Sequence, residues 1–340
     1  MKFIHIADVH WGARPEREQT FGRIREQEIK ETFQRVIDHA NKQQADLLLI
    51  AGDLFDQPPT QQELREVDYL LSRLNHTRTV LIAGNHDHLE LHDVFFKYKW
   101  NSEVYLLDGK QRDHISFEDL KTTIYGFSYW KNQITKPLYD RMKPDEREGS
   151  DFSILLAHGG DASHIPIQRE ALKWSGFDYI ALGHIHKPMK VGSELYRYCG
   201  TPLACSVSEA QQQKGIIMVE MGVKGEVKTT ILPLEPLRQV KVVKGTLEEV
   251  LKESCKDYVT VILTDKADLD VIDMQERIRL AFPNLLEIRR ENQRKTDYTR
   301  TLQTEELLDP YELCCSFLKD LDEEEKMILQ DVLHTVQGVK

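Results

Sequence analysis

Short apolar runs that stop at polar clusters recur along the first two-thirds of the chain. Residues 3–7 run into Asp8-Val9-His10, 47–51 into Gly52-Asp53, and 79–83 into Gly84-Asn85-His86-Asp87. Residues 154–157 run into His158-Gly159-Gly160, and 179–182 into Gly183-His184-Ile185-His186. Continuous apolar runs of this length predict strands buried on both faces, as in a sheet covered by helices. Helical periodicity over 24–42 and 60–75 supplies covering elements, the second opening with Thr60 and Glu63 as a capping box. Strand ends that all carry His, Asp or Asn imply one sheet edge gathering polar groups, where open α/β sheets place their sites.

Strand-like segments continue from about 190 to 235, including 196–198 and 215–221, and Pro233 and Pro236 mark a boundary. Residues 239–291 read as a small βαβαβ unit, with strands at 239–243, 257–264 and 285–290 and helices at about 246–254 and 271–281. A polar stretch, 292–304, precedes two short amphipathic helices. Asp309-Pro310 suits a helix start, with Leu313, Phe317 and Leu321 on one face; Asp322 and Glu325 begin the second, with Ile328, Val332 and Val336 spaced by four. Three segments follow: 1–235, 236–298 and a helical tail at 299–340.

With 340 residues, 40% hydrophobic and 30% charged, the chain is an ordinary globular one of about two domains. No apolar run approaches the ~20 residues of a membrane span, and Asp8 falls where a signal peptide needs its apolar stretch. Five scattered cysteines without metal-knuckle spacing favour a reduced, cytoplasmic chain. The net charge of −11 speaks against a nucleic-acid binder until it is divided. Residues 301–340 hold 3 Lys+Arg against 10 Asp+Glu, so most of the acidity lies in the tail.

Asp8, His10, Asp53, Asn85, His158, His184 and His186 are good ligands for divalent ions, without thiolates, a set suited to Mn²⁺, Fe or Zn²⁺. In a strand, residues i and i+2 point the same way, so each Asp-x-His or His-x-His pair can aim two side chains into one pocket. Asp53 can bridge two ions, and two ions roughly 3.5–4 Å apart polarise a phosphoryl group and generate hydroxide at neutral pH. A lone strand-end His or Asp is commonly a turn-former; five coincident motifs are not independent accidents. Asp87 reads as an orienting residue beside the set rather than a ligand.

Together these motifs resemble the calcineurin-like metallophosphoesterases over about residues 1–220. Ala7-Asp8-Val9-His10-Trp11-Gly12, Gly52-Asp53-Leu54-Phe55-Asp56 and Tyr198-Cys199-Gly200-Thr201-Pro202 resemble its DNA-repair nuclease branch, the SbcD or Mre-eleven type. The resemblance implies a β-sandwich flanked by helices, a small α/β capping domain and a C-terminal helical tail. It implies one ion on Asp8, His10 and His186, another on Asn85, His158 and His184, with Asp53 bridging and His86 as the catalytic histidine. It also implies a manganese-dependent exonuclease and single-strand endonuclease acting in double-strand-break repair. Its tail would dock on an SbcC-type ABC ATPase. A homodimer would use Val67, Leu70, Leu71 and Leu74 with Leu91, Val94, Phe95 and Phe96, although such a stripe equally suits a core.

Candidate DNA contacts are Trp11, as a base-stacking ring or as packing, and Arg14, Arg17, Arg23 and Arg25 in the loop after His10. Arg277, Arg279, Arg289, Arg290, Arg294 and Lys295 form a second concentration. Both stretches also contain glutamates, which suit a solvated face as well. The alternatives are a phosphoesterase on small nucleotides or phosphoproteins, and a non-catalytic scaffold for the ATPase.

Overall fold

In the computed structural model, residues 1–90, 93–145, 149–210, 212–222, 226–265, 271–291, 325–329 and 332–333 are described. Met1–Arg289 forms one compact unit and Arg290–Lys340 another.

The apolar runs are strands, but they divide between two six-stranded sheets. The first contains β1 (Lys2–Ile6), β2 (Leu47–Ala51), β3 (Arg78–Ile82) and β4 (Val104–Leu106), all parallel. The second contains β5 (His114–Phe117), β6 (Thr122–Gly126), β7 (Phe152–His158), β8 (Tyr179–Gly183), β9 (Met189–Lys190) and β10 (Tyr196–Tyr198). The chain then returns to the first sheet as β11 (Gly215–Met221), antiparallel to β1, and β12 (Val227–Pro233) outside it.

Side-chain alternation accounts for the two-faced burial of these strands. Phe3, Leu47, Leu49, Val80 and Ile82 meet Ile154, Leu156, Tyr179 and Ala181 in the core between the sheets. The intervening Ile4, Ile6, Leu48, Ile50 and Leu81 face the helices α1 (Gly22–Gln43) and α2 (Gln61–Leu71), packing on Phe33, Val36, Ile37, Leu64 and Val67. Behind the second sheet, Leu155, Ile180 and Leu182 pack on Tyr129, Tyr139, Ile165 and Leu172. The expected single sheet edge is thus a sandwich edge, because the interior of one sheet is covered by the other. The β5–β6 hairpin falls outside the expected strands: beside the buried Phe117 and Ile124, Thr122 and Thr123 are fully buried, with their hydroxyls bonded to Leu120 O and to Ser116 and Ser150.

The capping box at Thr60 and Glu63 forms as its spacing predicts. Of the apolar stripe offered for a dimer, Val67, Leu71 and Phe95 are buried in the chain's own core, and Leu70, Leu74 and Phe96 pack against it. Val94, which opens the short α3 (Val94–Lys97), is exposed, and Leu91 lies outside the described residues.

After the short α4 (Arg169–Lys173) and the two sheets comes the expected βαβαβ sequence. It consists of β13 (Val240–Gly245), α5 (Leu247–Leu251), β14 (Tyr258–Leu263), α6 (Val271–Ala281) and β15 (Leu285–Arg290), in sheet order β13-β14-β15. It has its own core around Val259, Val261, Met274, Ile278 and Phe282. Its junction with α1 is polar and buried. Tyr258 Oη donates to Glu28 Oε2 at 2.9 Å, Arg238 pairs with Glu28, and the Arg25 guanidinium lies 4.3 Å from the Tyr258 ring centroid. Arg25, grouped by sequence with the phosphate-binding candidates, is therefore a buried structural group whose Nη2 donates to Cys205 O.

In the second unit, residues 325–329 and 332–333 are helical and Ile328 and Val332 exposed. The helix expected from Asp309 to Leu321, and Asp322 and Val336, lie outside the described residues, as do Arg294 and Lys295.

Candidate metal centre

The polar clusters of the two sheets meet at one end of the sandwich. Asp8 and His10 follow β1, Asp53 follows β2, and Asn85 and His86 follow β3; His158 ends β7, and His184 and His186 follow β8. Asp8 and His10 do share one pocket, as expected, but not by strand alternation: both lie beyond β1, with φ of 54° and 52°. Asp53 (50°) and His184 (95°) share the left-handed region. Four non-glycine residues held in this sparsely populated conformation mark a site that the surrounding fold over-determines. The loops are tied together by Asp8 N–H to Gly52 O and His10 N–H to Asp53 O, each 3.1 Å. The His184 N–H donates to the Asp8 carboxylate at 3.0 Å.

Two groups result. In one, Asp8, His10 and His186 offer atoms within 4.8 Å of one another, with His10 Nε2 3.2 Å from His186 Nε2. In the other, His158 Nε2 lies 2.9 Å from Asn85 Oδ1 and 3.3 Å from Asp53 Oδ2, and His184 Nδ1 lies 3.0 Å from the same Asn85 oxygen. Asp53 touches both groups, because it also clusters with Asp8 and His158 and with His10 and His86. His158 is fully buried, and its Nδ1 donates to Ala51 O at 2.9 Å. A neutral His158 therefore directs its Nε2 lone pair at the oxygens of Asn85 and Asp53.

Acceptors facing acceptors, beside two carboxylates that are at most 2% exposed and have no lysine or arginine partner among the described residues, need a cation between them. The donor set of carboxylate, amide and imidazole fits divalent ions. Without an ion, protons take that place. Burial alone would raise Asp53, but His158, and then His10 and His86, hold it well below the usual carboxylate range. Burial alone would lower His158, yet Asp53 raises it.

Asp87, fully buried, accepts from Gly84 N (2.6 Å) and Phe55 N (3.1 Å), joining the loops after β2 and β3. Burial and the Asp53 charge push it up to about 7. His86 is half exposed; its Nδ1 donates to Asp56 O at 3.0 Å and its backbone N–H to Asp53 Oδ1 at 2.9 Å. Close approach also explains the glycines. Gly52 has φ +90°, and a Cβ there would overlap His158 Nδ1. We expect Gly52→Ala to lower stability by about 1–3 kcal/mol and to weaken metal binding with it. Chemical denaturation and metal titration of one preparation check this, and unchanged metal affinity would contradict it.

Trp11 corrects the stacking alternative. It is 3% exposed and meets Phe33 edge-on at 5.9 Å, leaving no face for a base. Arg14 is exposed but paired with Glu26 at 2.9 Å, and Arg17 and Arg23 are exposed. Arg277 and Arg289 pair with Asp273 and Glu287 on their own elements.

Sequence reasoning overlooked three carboxylates at the site. Asp56 Oδ1 lies 3.3 Å from His10 Nδ1, Glu209 Oε1 lies 3.4 Å from His186 Nδ1, and Asp161 Oδ2 lies 2.7 Å from His184 Nε2. Only Asp56 sits in one of the strand-end motifs; Glu209 reaches the site from a distant loop with no local signal. Among the described residues, no helix is long and apolar enough to cross a membrane.

A family model for calcineurin-like phosphoesterases matches residues 1–188. An SbcD C-terminal model, described as the Type 5 capsule protein repressor C-terminal domain, matches residues 234–321. The chain is 25% identical over 323 residues to the SbcD component of the SbcCD nuclease of Staphylococcus epidermidis, covering 84% of each. It is 32% identical over 198 residues to the DNA double-strand break repair protein Mre11 of Sulfurisphaera tokodaii, covering 54% of this chain and 49% of that one. To the uncharacterized metallophosphoesterase YhaO of Bacillus subtilis it is 31% identical over 215 residues, covering 57% and 50%. The chain thus spans about half the length of the last two.

Proposed function

The chain belongs to the calcineurin-like phosphoesterase family and is a metal-dependent phosphoesterase; from that premise we propose that it is a DNA nuclease, acting as exonuclease and single-strand endonuclease in double-strand-break repair. The observation that carries the chemistry is the convergence of Asp8, Asp53 and His158, all buried, with Asn85, His184, His10 and His186 from two sheets. The similarity to the SbcD component of the SbcCD nuclease along most of both chains favours DNA over a small nucleotide. Residues 1–235 would be the nuclease domain, 236–298 the cap and 299–340 the segment that docks on an SbcC-type ATPase. A homodimer acting in the cytoplasm completes the reading.

Asp8, His10 and His186 would hold one ion and Asn85, His158 and His184 the other, with Asp53 contributing to both, Mn²⁺ being the proposed metal. When bound, the pair supplies Lewis acidity toward a phosphoryl group and an activated water at neutral pH. Because His86 Nδ1 is engaged by the Asp56 carbonyl, its Nε2 is left for substrate. Protonated, it stabilises the charge developing on the phosphoryl oxygens and donates a proton to the leaving oxygen. Asp87 keeps the loops bearing Asn85 and His86 against the loop bearing Asp53, and its burial keeps water from competing for them.

The test is a gel assay of linear and hairpin DNA beside a small phosphodiester, with Mn²⁺ and with chelator. Mn²⁺-dependent DNA degradation is expected; cleavage of the small ester with every DNA left intact would instead favour the small-nucleotide reading. Charge adds a second expectation. Residues 1–235 hold 29 Lys+Arg against 34 Asp+Glu, a net of −5 that two divalent ions offset only locally, at the site. The isolated chain should bind DNA weakly, with a shallow dependence on salt. An affinity loss on the order of 10³–10⁵ between about 50 and 200 mM salt, typical of many phosphate contacts, would overturn that.

A further inference from the structure

His184 is gripped at both ring nitrogens. Its Nδ1 lies 3.0 Å from Asn85 Oδ1, inside the centre, while its Nε2 lies 2.7 Å from Asp161 Oδ2 on the outer side. Asp161 follows the His158-Gly159-Gly160 turn, and its carboxylate is itself anchored. Oδ1 accepts the backbone N–H of Ser163 at 2.7 Å and of His164 at 2.9 Å, and His164 Nδ1 lies 2.9 Å from Oδ2. The His164 and His184 rings are 4.7 Å apart. Two backbone donors thus hold Oδ1, leaving Oδ2 turned toward the imidazole nitrogens of His184 and His164.

We propose that Asp161 is a positioning residue that selects the tautomer of His184, holding the proton on Nε2 so that the Nδ1 lone pair faces the second ion. This rests on the two-metal reading above. An ionised carboxylate only accepts, so the nitrogen facing it must donate, and a neutral imidazole then has its lone pair on the other nitrogen. On the opposite side of Asn85, the Ala51 carbonyl makes the corresponding choice for His158, fixing the proton on Nδ1. The two imidazoles therefore reach the same amide oxygen through different ring nitrogens, each set by an acceptor behind it. A carboxylate or carbonyl behind a ligating histidine raises its basicity and fixes its orientation. Asp161, His164 and His184 also lie close enough to form a ligand set of their own, but a 2.7 Å separation is that of a direct hydrogen bond.

Asp161→Asn separates these possibilities with little change of shape. The Ser163 and His164 amides keep the side-chain oxygen, so the new NH₂ turns toward His184 Nε2 and forces the proton onto Nδ1. Titration of Mn²⁺ into the metal-stripped full chain, followed by calorimetry, should give two ions for the unmodified protein. In Asp161→Asn, one of them should weaken by about 10–100-fold and the other stay unchanged. Long-range ¹H–¹⁵N spectra of the histidine-labelled, metal-free protein should show the His184 proton moving from Nε2 to Nδ1. His164→Ala, which leaves the contact between Asp161 and His184 in place, should match the unmodified protein in both. Equal affinities and an unmoved proton in Asp161→Asn would overturn the proposal, as would a third ion that this variant loses. Absence of any bound Mn²⁺ in the unmodified protein would overturn the metal reading and this proposal with it.

Discussion

Replacing His86 with alanine is expected to lower kcat for phosphodiester hydrolysis by about 10²–10⁴-fold, the usual contribution of a positioned general acid or base, while both ions stay bound. Its side chain is one of the more open at the site, next to His186 at 38% exposed. The His158 side chain is 0% exposed and that of His10 7%, whereas that of His86 is 46% exposed. The backbone N–H of residue 86 bonds Asp53 Oδ1, a contact that alanine keeps. The rival is ligation, since His86 lies within reach of His10 and Asp53. Single-turnover rates beside Mn²⁺ titration decide between them: a fall in metal affinity that parallels the fall in kcat would make His86 a ligand. Equal inertness of the unmodified chain and the variant with the ATPase present would instead support the scaffold reading.

Between about pH 6.5 and 3, His5 should work against the stability of the metal-free protein, while Asp87, held near 7, works the other way, so the His5 contribution is read as a difference between variants. This imidazole is fully buried between the sheets, with Nδ1 3.1 Å from Tyr179 Oη. Burial lowers it to about 3, with the nearby Arg197 charge adding to the effect. A histidine kept neutral in the fold binds its proton only on unfolding. The His5 contribution to stability is therefore fully present above the unfolded value near 6.5 and falls as pH drops through the window from about 6.5 toward 3. The slope is about 1.4 kcal/mol per pH unit, and the whole window amounts to roughly 5 kcal/mol. Urea melts at several pH values in chelator, compared with His5→Leu, measure it. The substitution should remove that slope from the curve between about pH 6.5 and 4.5, and parallel curves would refute the assignment.

Legibility in the sequence followed the range of the physics involved. The strands β1, β2, β3, β7 and β8 could be read because each is an apolar run long enough to be buried on both faces, and α2 because Thr60 and Glu63 close a local box. The small βαβαβ unit could be read for the same reason, from periodicity and punctuation. The β5–β6 hairpin could not, since its runs are short and interrupted by threonines, of which Thr123 bonds Ser116 across the hairpin and Ser150 from 27 residues away. Proximity in sequence put Arg25 among the phosphate-binding candidates and left Trp11 open between stacking and packing. Both sit beside site loops, yet their side chains turn into Phe33 and Tyr258.

The sequence by itself determined which side chains could meet at a metal centre, because a strand that ends at a ligand-bearing turn is a local event set by hydrophobic pattern. Only the tertiary structure decided that these turns belong to two facing sheets, and that Asp8, His10, Asp53 and His184 reach one another from left-handed backbone. It alone brought Asp56, Asp161 and Glu209 behind the imidazoles. The orientation of a histidine depends on what lies behind it, and here those groups arrive from loops up to 46 residues away along the chain. No local pattern of apolar and polar residues encodes such a meeting.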